Sequence, residues 1–372
     1  MRNTTGLLFL LPLLAACAKD SDGGETGETS QYCTSASADS DAAVSGVLYY
    51  DADGTDKSTY ASEFLAGEDD AVVGNPIDLV SADGVVSDNS CTDGSYAFND
   101  LEDGVYLVVP EPVDGNCLTK NCTRRFPEAV LEGEVKIVTM GDSVPVVGDA
   151  PMFPKRLKTM FSDLATIKNK NVAIGGSLST QWLPGTSYFD DVLSPELEDA
   201  DVLVMSIGGN DILNRLDVSA LSDPEGTMVL IGELIQEISD NVLATAAGAK
   251  EINPDIDILY CLYVNYANAT IFPWNIVANV APEGAVEALM SGARETIGAD
   301  ENIILVDLFG ASESLENLDD YLYDSLHFND LGQTFYAEEV FKALGGVLIG
   351  DSPLGGEPRS PLGTTHNWSF SD

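Results

Sequence analysis

Four short stretches in the second half of the chain carry residue types able to do chemistry, in a fixed order. Gly141-Asp142-Ser143 comes first, then Gly175-Gly176-Ser177, then Gly208-Gly209-Asn210-Asp211, and last Asp324-Ser325-Leu326-His327. A serine hydroxyl is a weak nucleophile until a base takes its proton. A base with a pKa near the working pH favours histidine, and the chain has 2. His366 stands in a stretch rich in proline and glycine, so the base role falls to His327. Asp324, three residues earlier, can accept from the other imidazole nitrogen, fixing the tautomer and stabilising the imidazolium. The tetrahedral intermediate of acyl transfer needs donors aimed at its oxyanion. The backbone N–H groups of Ser143 and Gly176, with the side-chain amide of Asn210, can supply three. The chemistry is nucleophilic ester hydrolysis, with Ser143, Asp324 and His327 as catalytic residues and no cofactor required.

Such residues must be brought together by the elements between them. From Gly133 onward, strand and helix patterns alternate. Val135–Thr139, Val172–Ile174, Val202–Ile207, Ile256–Val264 and Ile303–Val306 read as strands. Phe153–Leu164, Val229–Ala247, Gly284–Ile297 and Leu331–Leu344 read as helices. This alternation predicts a parallel sheet covered on both faces. In such sheets, ligands gather at the carboxyl ends of the strands. Ser143 follows the first strand, Gly176 the second and Asn210 the third. Asp324 and His327 precede the last helix, so all four stretches converge on one edge.

The region from about Val135 to Leu348 resembles an SGNH, or GDSL-type, hydrolase, a resemblance carried by these four blocks in order. It implies a flavodoxin-like three-layer α/β/α fold and metal-free hydrolysis of carboxylic esters. It also implies Ser143 as nucleophile, Gly176 and Asn210 as oxyanion donors, and His327 as base with Asp324 behind it. Gly208 and Asp211 become structural members of their block. Two departures stand out: Val144-Pro145 replaces the usual hydrophobic-Thr pair, and Gly148 comes one position late. Gly175 is an alternative donor to Gly176, which is preferred because Ala173-Ile174 precede it as strand. Gly350-Asp351-Ser352 repeats the first motif without its context. Tyr263–Trp274 follows a strand end and would overhang the site, and Trp182 is a second candidate for that rim. A small or medium acyl or acetyl ester is the expected substrate.

Ahead of this region, residues 43–113 follow period two. Val44, Gly46–Tyr49, Ile77–Leu79, Tyr96–Phe98 and Val105–Val109 read as strands. With Val44-Ser45-Gly46, Gly94–Phe98 and Leu101–Tyr106, they resemble the small β-sandwich modules of bacterial surface proteins and the transthyretin-like sandwich of carboxypeptidases. A smaller N-terminal all-β sandwich domain is therefore expected. Asp51, Asp53 and Asp56 alternate around Gly54, and calcium takes such oxygen ligands. A plain acidic turn is the alternative. Cys33, Cys91, Cys117 and Cys122 suggest up to two disulfides in one of three connectivities, while Cys261 reads as a buried thiol.

Arg2, the apolar run Gly6–Leu14 and Leu14-Ala15-Ala16-Cys17 resemble a bacterial lipoprotein signal peptide. The resemblance implies cleavage before Cys17, lipidation of its sulfur and an exported, envelope-anchored protein, at the outer membrane or cell surface. An ordinary secretory signal is the alternative. The net charge of −44, from 17 basic and 61 acidic residues, excludes nucleic acid and disfavours anionic partners. The expected layout is residues 1–16 signal peptide, 17–42 acidic tether, 43–132 β-sandwich, 133–348 hydrolase and 349–372 irregular tail. A rival reading makes the chain a surface adhesion or scaffold lipoprotein. Its sandwich would bind glycan or calcium, beside a degenerate hydrolase domain.

Overall fold

Five strands form the parallel sheet that holds the candidate site: β7 Glu134–Gly141, β8 Thr166–Asn171, β9 Val202–Ser206, β10 Asp257–Cys261 and β11 Ile303–Val306. The computed structural model describes residues 33, 35–39, 43–50, 69–111, 125–215, 224–270, 285–300, 302–354, 362–366 and 368–370. The sheet order is β11-β10-β9-β7-β8, with every pairing parallel. Numbered within the sheet this is 2-1-3-4-5, the flavodoxin-like order, whose ligand crevice opens where the winding reverses, between β7 and β9.

Side chains alternate across these strands, and each set finds its own helical layer. Val135, Ile137, Val204, Leu259 and Val306 face α1 (Arg125–Glu132), α2 (Phe153–Met160) and α8 (Asp330–Ala343). Val138, Met140, Leu203, Met205, Ile258 and Leu305 face α5 (Pro224–Ile252) and α6 (Ala285–Gly298). Two covered faces explain the unbroken apolar runs of the central strands. Two short helices complete this layer, α3 Ser194–Leu197 and α4 Gly209–Leu213, while α7 Leu308–Ser312 sends Phe309 into it and Leu308 into the other. The α/β/α fold is as expected. The second strand is displaced, however: it is Thr166–Asn171, not Val172–Ile174. β8 is an edge strand with polar, largely exposed residues, so no apolar run marks it. Val172 and Ile174 N–H groups still bond to Thr139 and Gly141 carbonyls beyond its end.

The antiparallel part has two small sheets. One holds β1 (Val44–Tyr50), β2 (Asp70–Ala71), β5 (Ser95–Phe98) and β13 (Trp368–Phe370). The other holds β3 (Pro76–Ser81), β4 (Gly84–Asn89), β6 (Gly104–Pro110) and β12 (Gly346–Ile349). Val44, Leu48, Ile77, Leu79, Val108 and Val347 fill the space between them. The opposite face of the second sheet, through Val80, Val105, Leu107 and Leu348, joins the core that contains Phe126 and Phe341. A disulfide ties Cys33 to Cys91.

Residues 349–372, expected as an irregular tail, instead supply β13, and β12 just before them, in the stretch assigned to the hydrolase, joins the antiparallel part. β12 pairs antiparallel with β6, and β13 runs parallel to β1. Both are short and set among Pro and Gly, so pairing with distant strands makes them, not local pattern. Likewise α1, placed with the sandwich by sequence, packs its Phe126 edge-on against Phe161 of the α/β layer. Its Arg125 pairs with Asp201 at 2.7 Å. The signal segment with Cys17, the acidic run Asp51, Asp53 and Asp56, and Cys117 and Cys122 lie outside the described residues. Among the described residues, no helix is long and apolar enough to cross a membrane.

Candidate active site

β7 ends at Gly141, and Ser143 sits just beyond it at the winding reversal. Gly141 has φ +154°, and a Cβ there would lie 2.1 Å from the Ser206 carbonyl oxygen of β9. Only glycine permits that approach, which turns the chain sharply into Ser143. The Asp142 N–H bonds to the same carbonyl at 3.0 Å, and the Ser143 carbonyl accepts from Val146 and Val147 at 3.0 and 2.8 Å. Asp142 is buried beneath the turn. Its Oδ2 accepts from the Tyr263 hydroxyl and its Oδ1 from the Val144 N–H.

The acid and histidine occupy a tight turn before α8. Asp324 Oδ1 accepts from the N–H groups of Leu326 and His327, both at 2.7 Å. Its Oδ2 lies 2.8 Å from His327 Nδ1. A carboxylate can only accept, so the Nδ1 N–H donates to it, and in the neutral ring that tautomer leaves the Nε2 lone pair free. Partial burial pushes the Asp324 pKa up, but hydrogen bonds from the His327 ring and the two N–H groups outweigh that and hold it below the ordinary range. The carboxylate therefore stays charged behind the imidazole. The turn is fixed by Tyr323 N–H bonding to the His327 carbonyl at 2.7 Å.

Gly176 is left-handed at φ +82°, with open space where a Cβ would project. Asn210 lies in the first turn of α4 and donates one amide hydrogen to the Ser177 carbonyl at 3.1 Å. The same amide carries a second. Asp211 accepts from the N–H and hydroxyl of Ser179 at 2.9 and 2.7 Å, and Asn241 also donates to that hydroxyl. It thus ties the second block to the third.

Three links hold the nucleophile and histidine segments together. The Tyr263 hydroxyl reaches Asp142, and that of Tyr266 bonds to the Leu326 carbonyl at 2.6 Å. Gln333 of α8 donates to the Val144 carbonyl at 3.1 Å and accepts from Phe153 N–H at 2.7 Å. Gly148, from the same segment as Ser143, lies against the carbonyl of Phe328, next to His327.

Residues 137–340, a little over half the chain, match the family model for GDSL-like lipase/acylhydrolase. The chain belongs to this GDSL-like family. It is a carboxylic ester hydrolase. Among solved structures it is similar to a lipase from a goat rumen metagenome, at 18% identity and TM-score 0.45 over 56% of this chain and 97% of that one. It is also similar to a family 3 carbohydrate esterase of Clostridium thermocellum, at 18% identity and TM-score 0.37 over 56% and 94%. A third is an extracellular lipase of Streptomyces rimosus, at 13% identity and TM-score 0.39 over 56% and 99%. No curated protein sequence matches the chain.

Against the GDSL pattern, the late Gly148 keeps a role: a Cβ there would lie 2.9 Å from the Met152 methyl. Trp182, expected at the rim, is fully buried, and its Nε1 donates to Ser177 Oγ at 3.0 Å. Its ring fills the core under the second block, where an isolated tryptophan gains most area. His366 is buried in the antiparallel layer, its carbonyl accepting from Tyr96. Gly350-Asp351-Ser352 follows antiparallel β12, away from the parallel sheet. Tyr263 and Tyr266 prove to be braces, and residues 271–274 of that segment lie outside the described residues. Gln333 carried no signal in the sequence, because a polar residue on a helix reads as a surface position.

Burial pushes the Asp142 pKa up to about 6, against the opposing bonds from Tyr263 and Val144. The folded chain then holds one more proton than the unfolded chain between the ordinary carboxylate pKa and about 6, so stability falls as pH rises through that window. Ionised Asp142 costs about 3 kcal/mol at neutral pH, of which about 1 kcal/mol is lost between pH 5 and 8. Asp142→Asn removes this term. Urea unfolding at successive pH values should show the wild type losing stability relative to the variant as pH rises. Parallel profiles would contradict it.

Proposed function

We propose that Ser143, His327 and Asp324 form the catalytic triad of this hydrolase, with the Ser143 and Gly176 N–H groups and the Asn210 amide as its oxyanion hole. The observation that carries the reading is the 2.8 Å pairing of His327 with Asp324, in a turn packed against the segment that follows Ser143. His327 Nε2 takes the Ser143 proton as Oγ attacks the ester carbonyl carbon. The oxyanion is met by the three donors, and the tetrahedral intermediate collapses as His327 returns the proton to the leaving alkoxide. Water, deprotonated by the same nitrogen, then attacks the acyl-serine and releases the acid. These steps use no metal. The charge of −44 favours neutral acyl esters over anionic substrates. The test is hydrolysis of nitrophenyl esters by the full chain. No turnover of any ester by folded protein would favour the scaffold reading instead.

The same proposal puts the enzyme in a bacterial cell envelope, at the outer membrane or cell surface, anchored by lipid on Cys17 and spaced from the membrane by the acidic residues that follow. Arg2, the Gly6–Leu14 run and Leu14-Ala15-Ala16-Cys17 support it. Cys17→Ser should move the protein from the membrane to the soluble fraction on ultracentrifugation. A protein that stays bound has another anchor.

A further inference from the structure

A cavity of about 170 Å³ runs from the catalytic blocks down between α5 and α6. Its long walls are two helical stripes, Ile231, Ile235 and Ile238 facing Val286, Met290 and Ala293. Its rim includes Gly209, Tyr263 and Leu326, which adjoin Asn210, bind Asp142 and precede His327 respectively. Protein interiors are normally packed without voids of this size, because unmet apolar surface costs stability. Here two amphipathic helices leave one open beside the reacting groups.

The hydroxyl groups of the lining are already committed, and Asn265 spends its Oδ1 on the Ala267 N–H, leaving its Nδ2 as the one side-chain donor without a bond among the described lining residues. Ser239 Oγ bonds to the Ile235 carbonyl at 2.8 Å, and the Tyr260 hydroxyl to the Ile207 carbonyl at 3.1 Å. The hydroxyls of Tyr263 and Tyr266 serve Asp142 and the Leu326 carbonyl. A sugar ring placed here could meet one such donor and would leave most of its hydroxyl groups without partners, at a cost for each. A hydrocarbon chain loses nothing. Cavities near 150 Å³ lined by aliphatic side chains stay dry and hold about six carbon atoms.

We infer that this cavity is the acyl pocket of the enzyme and selects a linear acyl chain of about six carbons, above acetyl and below long fatty acyl groups. The inference rests on the serine-esterase reading of the site. The acyl carbon sits at Ser143 with its oxygen toward Gly176 and Asn210, and the chain passes Gly209 and Leu326 to lie between the helices.

The test is kcat/KM of the full chain on nitrophenyl esters from acetate to palmitate, beside Ala293→Phe and Ser143→Ala. At about fourfold per buried methylene, hexanoate should exceed acetate by on the order of 10²-fold, and palmitate should fall below hexanoate. Ala293→Phe fills the pocket. It should lower hexanoate turnover at least about tenfold, with acetate within about threefold, moving the optimum to shorter chains. Serine-dependent activity that is highest on acetate or palmitate, or an unshifted profile in the variant, overturns the pocket and leaves the esterase standing. Loss of the serine dependence itself overturns the esterase. Should Ala293→Phe not fold by circular dichroism, competition against nitrophenyl hexanoate decides. Hexanamide should inhibit wild type at least about tenfold more tightly than acetamide, and equal inhibition would overturn the pocket.

Discussion

Ser143→Ala should lower kcat by about 10⁶-fold, the loss seen when the nucleophile of a serine triad is removed. The hydroxyl is the only atom deleted. The backbone bonds that shape its turn, from Val146 and Val147 to the Ser143 carbonyl and from Asp142 to Ser206, all survive in alanine. Stability should therefore change by less than about 0.5 kcal/mol, which separates a chemical defect from a folding one. With a nitrophenyl ester, the wild type should also form an acyl adduct on the peptide containing Ser143, read by mass spectrometry. A variant within tenfold of wild-type kcat would remove Ser143 from the mechanism.

His327→Ala should cost nearly as much, and the double variant little more than either single one, within about tenfold. The reason lies in the turn. Asp324 is held by the Leu326 and His327 N–H groups as well as by the imidazole. The backbone of the turn therefore persists without the ring, and only the base is lost. With no base, Ser143 is an inert alcohol, so removing it again changes little. KM should stay close to wild type. What remains in all three variants is the contribution of the oxyanion donors and substrate binding, about 10³- to 10⁴-fold over water. Losses that multiply in the double variant would mean that His327 and Ser143 act in separate steps.

How far these residues could be read from sequence differed by element. β9, β10 and β11 were legible because helices cover both faces of the sheet, which demands unbroken apolar runs such as Val202–Met205. β8 and β4 leave no such trace in the sequence, for the opposite reason. One is a polar sheet edge and the other is exposed along its whole length. β12 and β13 were invisible, since their partners, β6 and β1, lie more than two hundred residues away. Trp182 reads as a rim residue from sequence because nothing local distinguishes a tryptophan at a site from one in a core.

The sequence alone determined the order of the four blocks, the glycines at Gly141 and Gly176, and the pairing of Asp324 with His327. Gly176 and the Asp324–His327 pair depend on backbone conformation and on neighbours within three residues, constraints that are written locally; Gly141 is legible as part of its motif, although the Ser206 carbonyl that requires it belongs to β9. Only the tertiary structure decided that Tyr263 and Tyr266 brace the nucleophile and histidine segments, that Gln333 secures Val144, and that α5 and α6 part over an apolar cavity. Each of these joins side chains brought together by separate strands and helices. Their free energy comes from satisfying buried polar groups and from packing, which no single stretch of the chain encodes.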